Sequence, residues 1–252
     1  LGLYKDGSIP TGATLPSTGP ALATTSTFNA IIYGSGGTAG YGNNLYVAGG
    51  QAAILYTSTD ALTWTLRTAA TATSIRALAY NPNATGTQSA RYVYAGAGGS
   101  LATSTNGITW TSRNPGTTST INGLVYTNTP PHIFTYAGNN GAYATSSNGV
   151  TWTPRNPGTT SNINAIIYAG GLFVIATDNG GLLTSADNTV TYVSRTSGTA
   201  SNLQALTYGN GIYVYGGAGG VLATSTNAIT WTARTSGATS AIYGLAYGDS
   251  FV

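Results

Sequence analysis

Residues Leu101–Arg113 read LATSTNGITWTSR, and the middle of that stretch, STNGITW, returns along the chain almost unchanged. The copies are STDALTW ending at Trp64, STNGITW at Trp110, SSNGVTW at Trp152, SADNTVTY at Tyr192 and STNAITW at Trp231. The closing aromatic residues lie 46, 42, 40 and 39 positions apart. Spacing of this size marks a structural unit repeated in tandem. Two further motifs keep step with it. FNAIIY (Phe28–Tyr33), IRALAY (Ile75–Tyr80), INGLVY (Ile121–Tyr126), INAIIY (Ile163–Tyr168), LQALTY (Leu203–Tyr208) and IYGLAY (Ile242–Tyr247) form one set. LYVAGG, YVYAGAGG, FTYAGNNG, FVIATDNGG and YVYGGAGG form the other.

Each unit reads as four short strands: A is the ALxY element, B the YVYAG element, C the LATS element and D the ITWTxR element. All are rich in β-branched and aromatic residues and bounded by Gly, Asn and Pro. No segment carries a helical period with caps. Four strands per repeat of about 40 to 45 residues is the pattern of a propeller blade. An open solenoid is the alternative, and it would leave strand edges exposed at both ends.

The recurring turn has a physical rationale. A short Asp or Asn side chain accepts hydrogen bonds from the N–H groups of a turn. Its Gly neighbour takes a positive φ at no steric cost. The aromatic residue is an apolar plug between sheets. The expected hairpin residues are Asp60 with Trp64, Asn106 with Trp110, Asn148 with Trp152, Asp187 with Tyr192, and Asn227 with Trp231. Three copies carry Asn, which serves the turn but cannot act as a general acid or base.

Ser-x-Asp/Asn-Gly-x-Thr-Trp resembles the Asp-box, the repeat of sialidase-like propellers and of many non-enzymatic ones. The resemblance covers nearly the whole chain and implies a hairpin joining strands C and D. The copies depart from the family pattern in being mostly one residue shorter and in favouring Asn. Sialidase chemistry would need a Tyr activated by Glu, and this chain contains no Glu. Glycoside hydrolysis in general needs two carboxyl groups at a defined separation. Asp178 and Asp249, the acids outside the turns and downstream of Asp60, lie two blades apart in sequence.

The expected fold is all-β, a single domain over residues 1–252: a six-bladed propeller of four-stranded antiparallel blades. Five complete blades would span about 28–67, 75–113, 121–155, 163–195 and 203–234. The sixth would be 242–252 completed by 1–16, because LGLYKDGSIPTG aligns without gaps to LATSTNGITWTS. Pro10 then stands in the place of Trp, on the outer strand where proline is best tolerated. Five blades with loose ends is the alternative, and a chain cut from something longer is another.

Composition narrows function. Only 5% of residues are charged and the net charge is +3, against roughly 25% charged in ordinary domains. No run of Lys or Arg tracks a phosphate backbone, so nucleic acid is not an expected partner. The absence of Cys excludes disulfides and thiolate metal sites. His132 alone cannot build a histidine cluster, and neither a metal nor another cofactor is expected. A calcium loop at Ala176–Gly181 would rest on one carboxylate. No stretch approaches the 18 or more apolar residues of a membrane span.

Five arginines, Arg67, Arg113, Arg155, Arg195 and Arg234, end strand D at one offset. Their recurrence in every blade favours a structural role, bonding nearby carbonyls or stacking on Tyr. Ligand contacts are expected instead on the face carrying the D–A and B–C loops, at Asn114, Asn139, Asn140, Asn156, Asp178 and Asn179. That face would be neutral and rich in hydroxyls and amides. Low charge and abundant Thr, Ser and Gly are similar to repeat proteins of phage tails, virions and bacterial surfaces. The sequence is thus read as a non-enzymatic structural or attachment protein of a virion or cell surface. Its partners would be surface glycans or other structural proteins, with self-association or a place in a larger assembly. A secreted lectin is the alternative reading, and a sialidase-like hydrolase a third.

Overall fold

The computed structural model describes residues 27–34, 44–82, 92–130, 132–186 and 191–248. Twenty strands form five antiparallel sheets of four, each in chain order. The first blade holds β1 (Phe28–Gly34), β2 (Leu45–Gly50), β3 (Leu55–Ser58) and β4 (Thr65–Leu66). The second holds β5 (Ile75–Tyr80), β6 (Tyr92–Gly96), β7 (Leu101–Ser104) and β8 (Thr111–Ser112). The third holds β9 (Ile121–Tyr126), β10 (Phe134–Gly138), β11 (Tyr143–Ser146) and β12 (Thr153–Pro154). The fourth holds β13 (Ile163–Ala169), β14 (Leu172–Thr177), β15 (Leu182–Ser185) and β16 (Val193–Arg195). The fifth holds β17 (Leu203–Gly209), β18 (Ile212–Gly217), β19 (Leu222–Ser225) and β20 (Thr232–Arg234). The innermost strands β1, β5, β9, β13 and β17 pack side by side in succession.

Register within each blade is held by one aromatic pair across the A–B hairpin. Tyr33 faces Tyr46, Tyr80 faces Tyr92, Tyr126 faces Phe134, Tyr168 faces Phe173 and Tyr208 faces Tyr213. Their ring centroids lie 4.5 to 4.8 Å apart. Directly opposed aromatic pairs stabilise antiparallel strands. A one-residue slip would break the pair and turn the buried face outward. Strands β6 and β10 are buried at every position, whereas β4, β8 and β12 are exposed. The core therefore lies between blades.

The C–D turn is built as its chemistry requires. Asn106 Oδ1 accepts from the N–H groups of Ile108 and Thr109 and from Ser104 Oγ. Asn148 and Asn227 repeat this set. Each Trp Nε1 donates to the carbonyl three residues back, at 3.1 to 3.2 Å in four blades. This bond holds the indole in the turn, so the ladder of strand D begins after the Trp and spans only two or three residues. The ITWTxR strand expected from sequence is shorter for that reason. Asp187 lies outside the described residues.

Asp60 makes the same bonds with a carboxylate, to Thr63 N–H, Leu62 N–H and Ser58 Oγ. The backbone N–H of Thr63, then that of Leu62, lowers its pKa from 3.8 to about 2. A folded value below the unfolded one contributes stability above the unfolded pKa and loses it as pH falls toward the folded one. Asp60→Asn is therefore expected to flatten the acid limb of a Tm-against-pH curve between 3.8 and about 2. At pH 7 its Tm should stay within about 2 °C of the parent, a surface-substitution effect. A variant that melts far lower at pH 7 would show that the turn needs charge.

The third and fourth blades depart from the repeat at three coupled positions. Ile175 stands where blades two, three and five place Tyr94, Tyr136 and Tyr215 under their Trp, and where blade one has Ala48. Tyr192 replaces the Trp, and Tyr143 of the third blade replaces the leucine found at Leu55, Leu101, Leu182 and Leu222. The Tyr143 and Tyr192 hydroxyls are hydrogen-bonded and their rings pack edge to face at 5.5 Å. Both rings belong to the cluster around Ile175. The larger Tyr143 fills the volume that the smaller Ile175 leaves, as close packing demands.

The expected sixth blade is not among the sheets: the described residues form five blades, matching the alternative. Residues 241–248 carry no strand pairing, though the Ile242 N–H donates to the Gly217 carbonyl at 3.0 Å. Ile242 lies against Gly216 as Ile75 lies against Gly49, and Tyr247 lies against Gly209 as Tyr80 lies against Gly34. The rest of the expected blade, residues 249–252 and 1–16, falls outside the described residues. Among the described residues, Ile242–Tyr247 pairs with no second strand.

Candidate functional site

Every innermost strand carries the same irregularity. Pairing skips one residue between Phe28 and Ala30, Ile75 and Ala77, Ile163 and Ala165, and Leu203 and Ala205. In the third blade it skips from Ile121 to Gly123. The extra residue is Asn29, Arg76, Asn122, Asn164 or Gln204. A bulge of this kind re-aims a side chain out of the ladder. All five line one cavity of about 490 Å³, together with Thr27, Phe28 and Tyr243. Tyr243 occupies the corresponding position of the C-terminal segment IYGLAY. The cavity is axial: each blade contributes the second residue of its innermost strand.

The asparagines are fixed by bonds between blades. Nδ2 of Asn29 donates to the Ile75 carbonyl, that of Asn122 to the Ile163 carbonyl and that of Asn164 to the Leu203 carbonyl, at 2.8 to 2.9 Å. Asn122 Nδ2 also donates to Asn139 Oδ1, and Asn164 Nδ2 to Asp178 Oδ1. Both amide hydrogens of Asn122 and Asn164 are thereby committed, and only their carbonyl oxygens remain to offer. Arg76 is exposed and has no hydrogen-bond or ion-pair partner among the described residues.

The B–C turns form the rim. Each is a single 3-10 turn with a left-handed central residue: Ala52, Gly98, Asn140, Asn179 or Gly219. Asn139 and Asp178 sit at the first position of their turns and brace the cavity asparagines. The second Asp178 oxygen accepts from Asn162 Nδ2 at 2.9 Å. Its carboxylate thus faces two amide donors, an arrangement for bracing rather than for holding a cation. Asn140 and Asn179 are exposed at the turn tips, and their backbone N–H groups donate to Asn162 Oδ1 and Asn202 Oδ1 of the following blade. Asn114 and Asn156 stand apart, at the start of the D–A loops beside the outer strand. Their Oδ1 atoms accept from the Gly116 and Gly158 N–H groups at 2.9 Å.

The five strand-D arginines bond neither carbonyls nor rings through their Nε. Each Nε donates to a Thr hydroxyl of strand C in its own blade, at 2.8 to 3.2 Å: Thr57, Thr103, Thr145, Thr184 and Thr224. Arg76 is the described arginine outside this pattern. Sequence reading passed over it and the other cavity positions. The signal was present: a polar residue second in an otherwise apolar strand, as Asn, Arg, Asn, Asn and Gln in five copies.

No family model matches the chain, and no curated protein matches it. Solved structures do. YCF48 bound to D1 peptide is similar with a TM-score of 0.64 at 16% identity, covering 85% of this chain and 69% of that one. The computationally designed protein Ika8 gives 0.64 at 16% identity, covering 90% of this chain and 67% of that one. YCF48 from Cyanidioschyzon merolae gives 0.54 at 15% identity, covering 75% and 69%. Identity this low carries the fold alone. With the five four-stranded sheets, it defines the chain as a β-propeller. No helix among the described residues is long and apolar enough to cross a membrane.

Proposed function

We propose that this propeller is a non-enzymatic structural or attachment protein of a virion or cell surface, and that it binds a glycan or another protein through the face around the axial cavity. The observation that carries this reading is the rim: exposed amide tips at Asn140 and Asn179, set on rigid 3-10 turns around a cavity lined by polar side chains. Concave polar sites on rigid scaffolds are the usual form of a ligand pocket. A propeller of similar architecture has been solved with a peptide bound, which supports a protein partner as readily as a glycan. The cavity favours the second reading, a soluble lectin. Hydrolysis is not proposed, since the chain has no Glu and its Asp178 carboxylate is taken up by two asparagines.

We further propose that the chain is an Asp-box repeat propeller with six blade positions, the sixth begun by 242–248. Tyr243 at the axial cavity and Ile242 against Gly216 support six positions around the axis.

The test uses Asn140→Gly and Asn179→Gly together. Blades two and five already carry Gly98 and Gly219 at these left-handed positions, so the backbone is kept and only the amides are lost. The parent chain is expected to bind a glycan array or its native particle. The double variant should bind about tenfold more weakly, with unchanged Tm, on the loss of one or two hydrogen bonds. Equal binding by the variant would move the function off these rim tips. Sedimentation separates an assembly component, which self-associates, from a monomeric lectin.

A further inference from the structure

We infer that the ring of blades opens and shuts at a seam between Ile242–Tyr247 and blade one, where Gly244 receives Ile31 and Gly248 receives Tyr33. The inference rests on the reading of six positions around the axis. It goes further by naming the contacts that close the ring and the open state in which the structure holds them.

The repeat shows what a shut contact is. The third residue of each innermost strand is Ala or Gly, and the fourth residue of the next innermost strand packs on it. Ala30 shares a cluster with Leu78, Ala77 with Leu124 and Ala165 with Leu206. A Cβ on Gly123 would lie 2.7 Å from Ile166 Cγ2. The receiving residue is small because two backbones approach closely there. Leu78, Leu124, Ile166 and Leu206 are accordingly 6 to 9% exposed. Ile31 holds the same position in blade one and is 62% exposed.

The receiver for Ile31 stands across the seam. IYGLAY places Gly244 third, and a Cβ there would have nothing within 4 Å. A second contact, lower on the same strands, is unmade in the same way. A Cβ on Gly34 would meet the Tyr80 ring at 2.8 Å, and one on Gly209 would meet the Tyr247 ring. Gly248 is their equivalent and has nothing within 4 Å, while Tyr33 is 42% exposed. The other side of the segment is already docked, with Ile242 and Leu245 against Gly216 of blade five. Phe28 and Asn29 on one side of the seam and Tyr243 on the other line the same axial cavity. The seam therefore holds apart the two halves of a contact that successive blades make elsewhere. Small rotations shared among packed blades are enough to shut it, a shear motion. Open, the seam presents Ile31 and Tyr33 as an apolar flank of the kind that recruits another chain. Shut, it buries that flank, so the seam governs whether blade one can be joined by a neighbour.

The chain has no Cys, so paired cysteines report the seam by disulfide formation. The Cβ built on Gly123 lies 3.8 Å from Ile166 Cβ, the mean Cβ separation of a disulfide. Gly123→Cys with Ile166→Cys in the full chain thus sets the yield of a shut contact. Ile31→Cys with Gly244→Cys asks whether the seam reaches the same geometry. Ile31 is exposed and Gly244 stands in open space, so this pair disturbs no core. Tm and far-UV circular dichroism verify the folding of every variant. Each pair is oxidised with glutathione disulfide and read by non-reducing electrophoresis. The 31–244 pair is expected to link within the chain at the yield of the 123–166 pair. At about 1 μM chain that link should form about a thousandfold faster than any link between copies, since effective concentrations within a chain are of order mM. Ile31→Cys with Leu245→Cys should stay reduced, because Leu245 faces Gly216. The inference is overturned if the 31–244 pair stays reduced while the 123–166 pair links, if the 31–245 pair links equally well, or if covalent dimers replace the internal link. Gly216→Cys with Ile242→Cys separates this inference from the six-position reading. A 216–242 link without a 31–244 link leaves six positions standing and removes only the closure. Loss of both removes the six-position reading as well.

Discussion

Gly180→Ala is expected to lower stability by about 3 to 5 kcal/mol, combining the strain of a left-handed alanine with overpacking against a backbone that cannot move freely. Gly180 has φ +71, and a Cβ there would meet the Thr199 carbonyl oxygen at 1.9 Å. That oxygen belongs to the D–A loop of the next blade, which nests on the B–C turn. The same contact recurs at Gly99 with Thr117, Gly141 with Thr159 and Gly220 with Ala238. Gly198→Ala isolates the two causes. Its φ is +84, but an added Cβ would have nothing within 4 Å. Only backbone strain remains there, about 1 kcal/mol. Urea or thermal melts of the two variants measure the difference directly. Equal losses would mean that the loop does not press on the turn. A large excess for Gly180→Ala would show that the rim loops are locked from blade to blade, which gives the face a fixed shape to present.

This nesting explains a pattern that sequence reading saw but could not interpret. The Gly and Asn residues that bound strand B in the sequence, in AGG, NNG and DNG, form turns. Their third residue is glycine for a tertiary reason, the close approach of a neighbouring blade, which no local pattern reveals. The first blade has Ala53 at that position with φ +59. It follows that the left-handed conformation alone does not demand glycine. Strand order and blade boundaries were legible because each depends on local alternation and turn chemistry. The cavity was hidden for the opposite reason: a bulge shifts the period by one residue, so Asn122 reads as the outer face of a strand and is in fact turned to the axis. The exchange among Tyr143, Ile175 and Tyr192 was equally hidden, since its members sit in two blades. Loop residues Asn114 and Asn156 looked like ligand contacts by composition, and their side-chain oxygens turn out to close their own loops.

Trp152→Ala is expected to cost about 3 to 5 kcal/mol, the range for deleting a buried aromatic side chain. Trp152 is 8% exposed and packs on Tyr136 and Phe134 at 5.1 and 6.5 Å. It shares a cluster with Val93, Ala95 and Leu101 of the preceding blade, so its removal opens a cavity between two sheets. Trp64 in the first blade makes the same turn bond but lines a groove of about 420 Å³ with Phe28, Ile31 and Tyr46. Ile31 beside it is 62% exposed. This is the flank that a preceding blade would cover. With the flank open, Trp64→Ala should cost only about 1 to 2 kcal/mol, because Trp64 is only partly buried there. With the flank covered, its cost should rise toward that of Trp152→Ala, less the ring contact that Ala48 does not supply where Tyr136 stands in blade three. Measured together by urea melts, the two variants therefore report on ring closure without a further structure. A small Trp64 effect means that blade one ends the ring with an exposed apolar face, a surface that attracts another chain. A large one means that a sixth blade lies against it, and places Tyr243 and Arg76 on a closed ring around one axis.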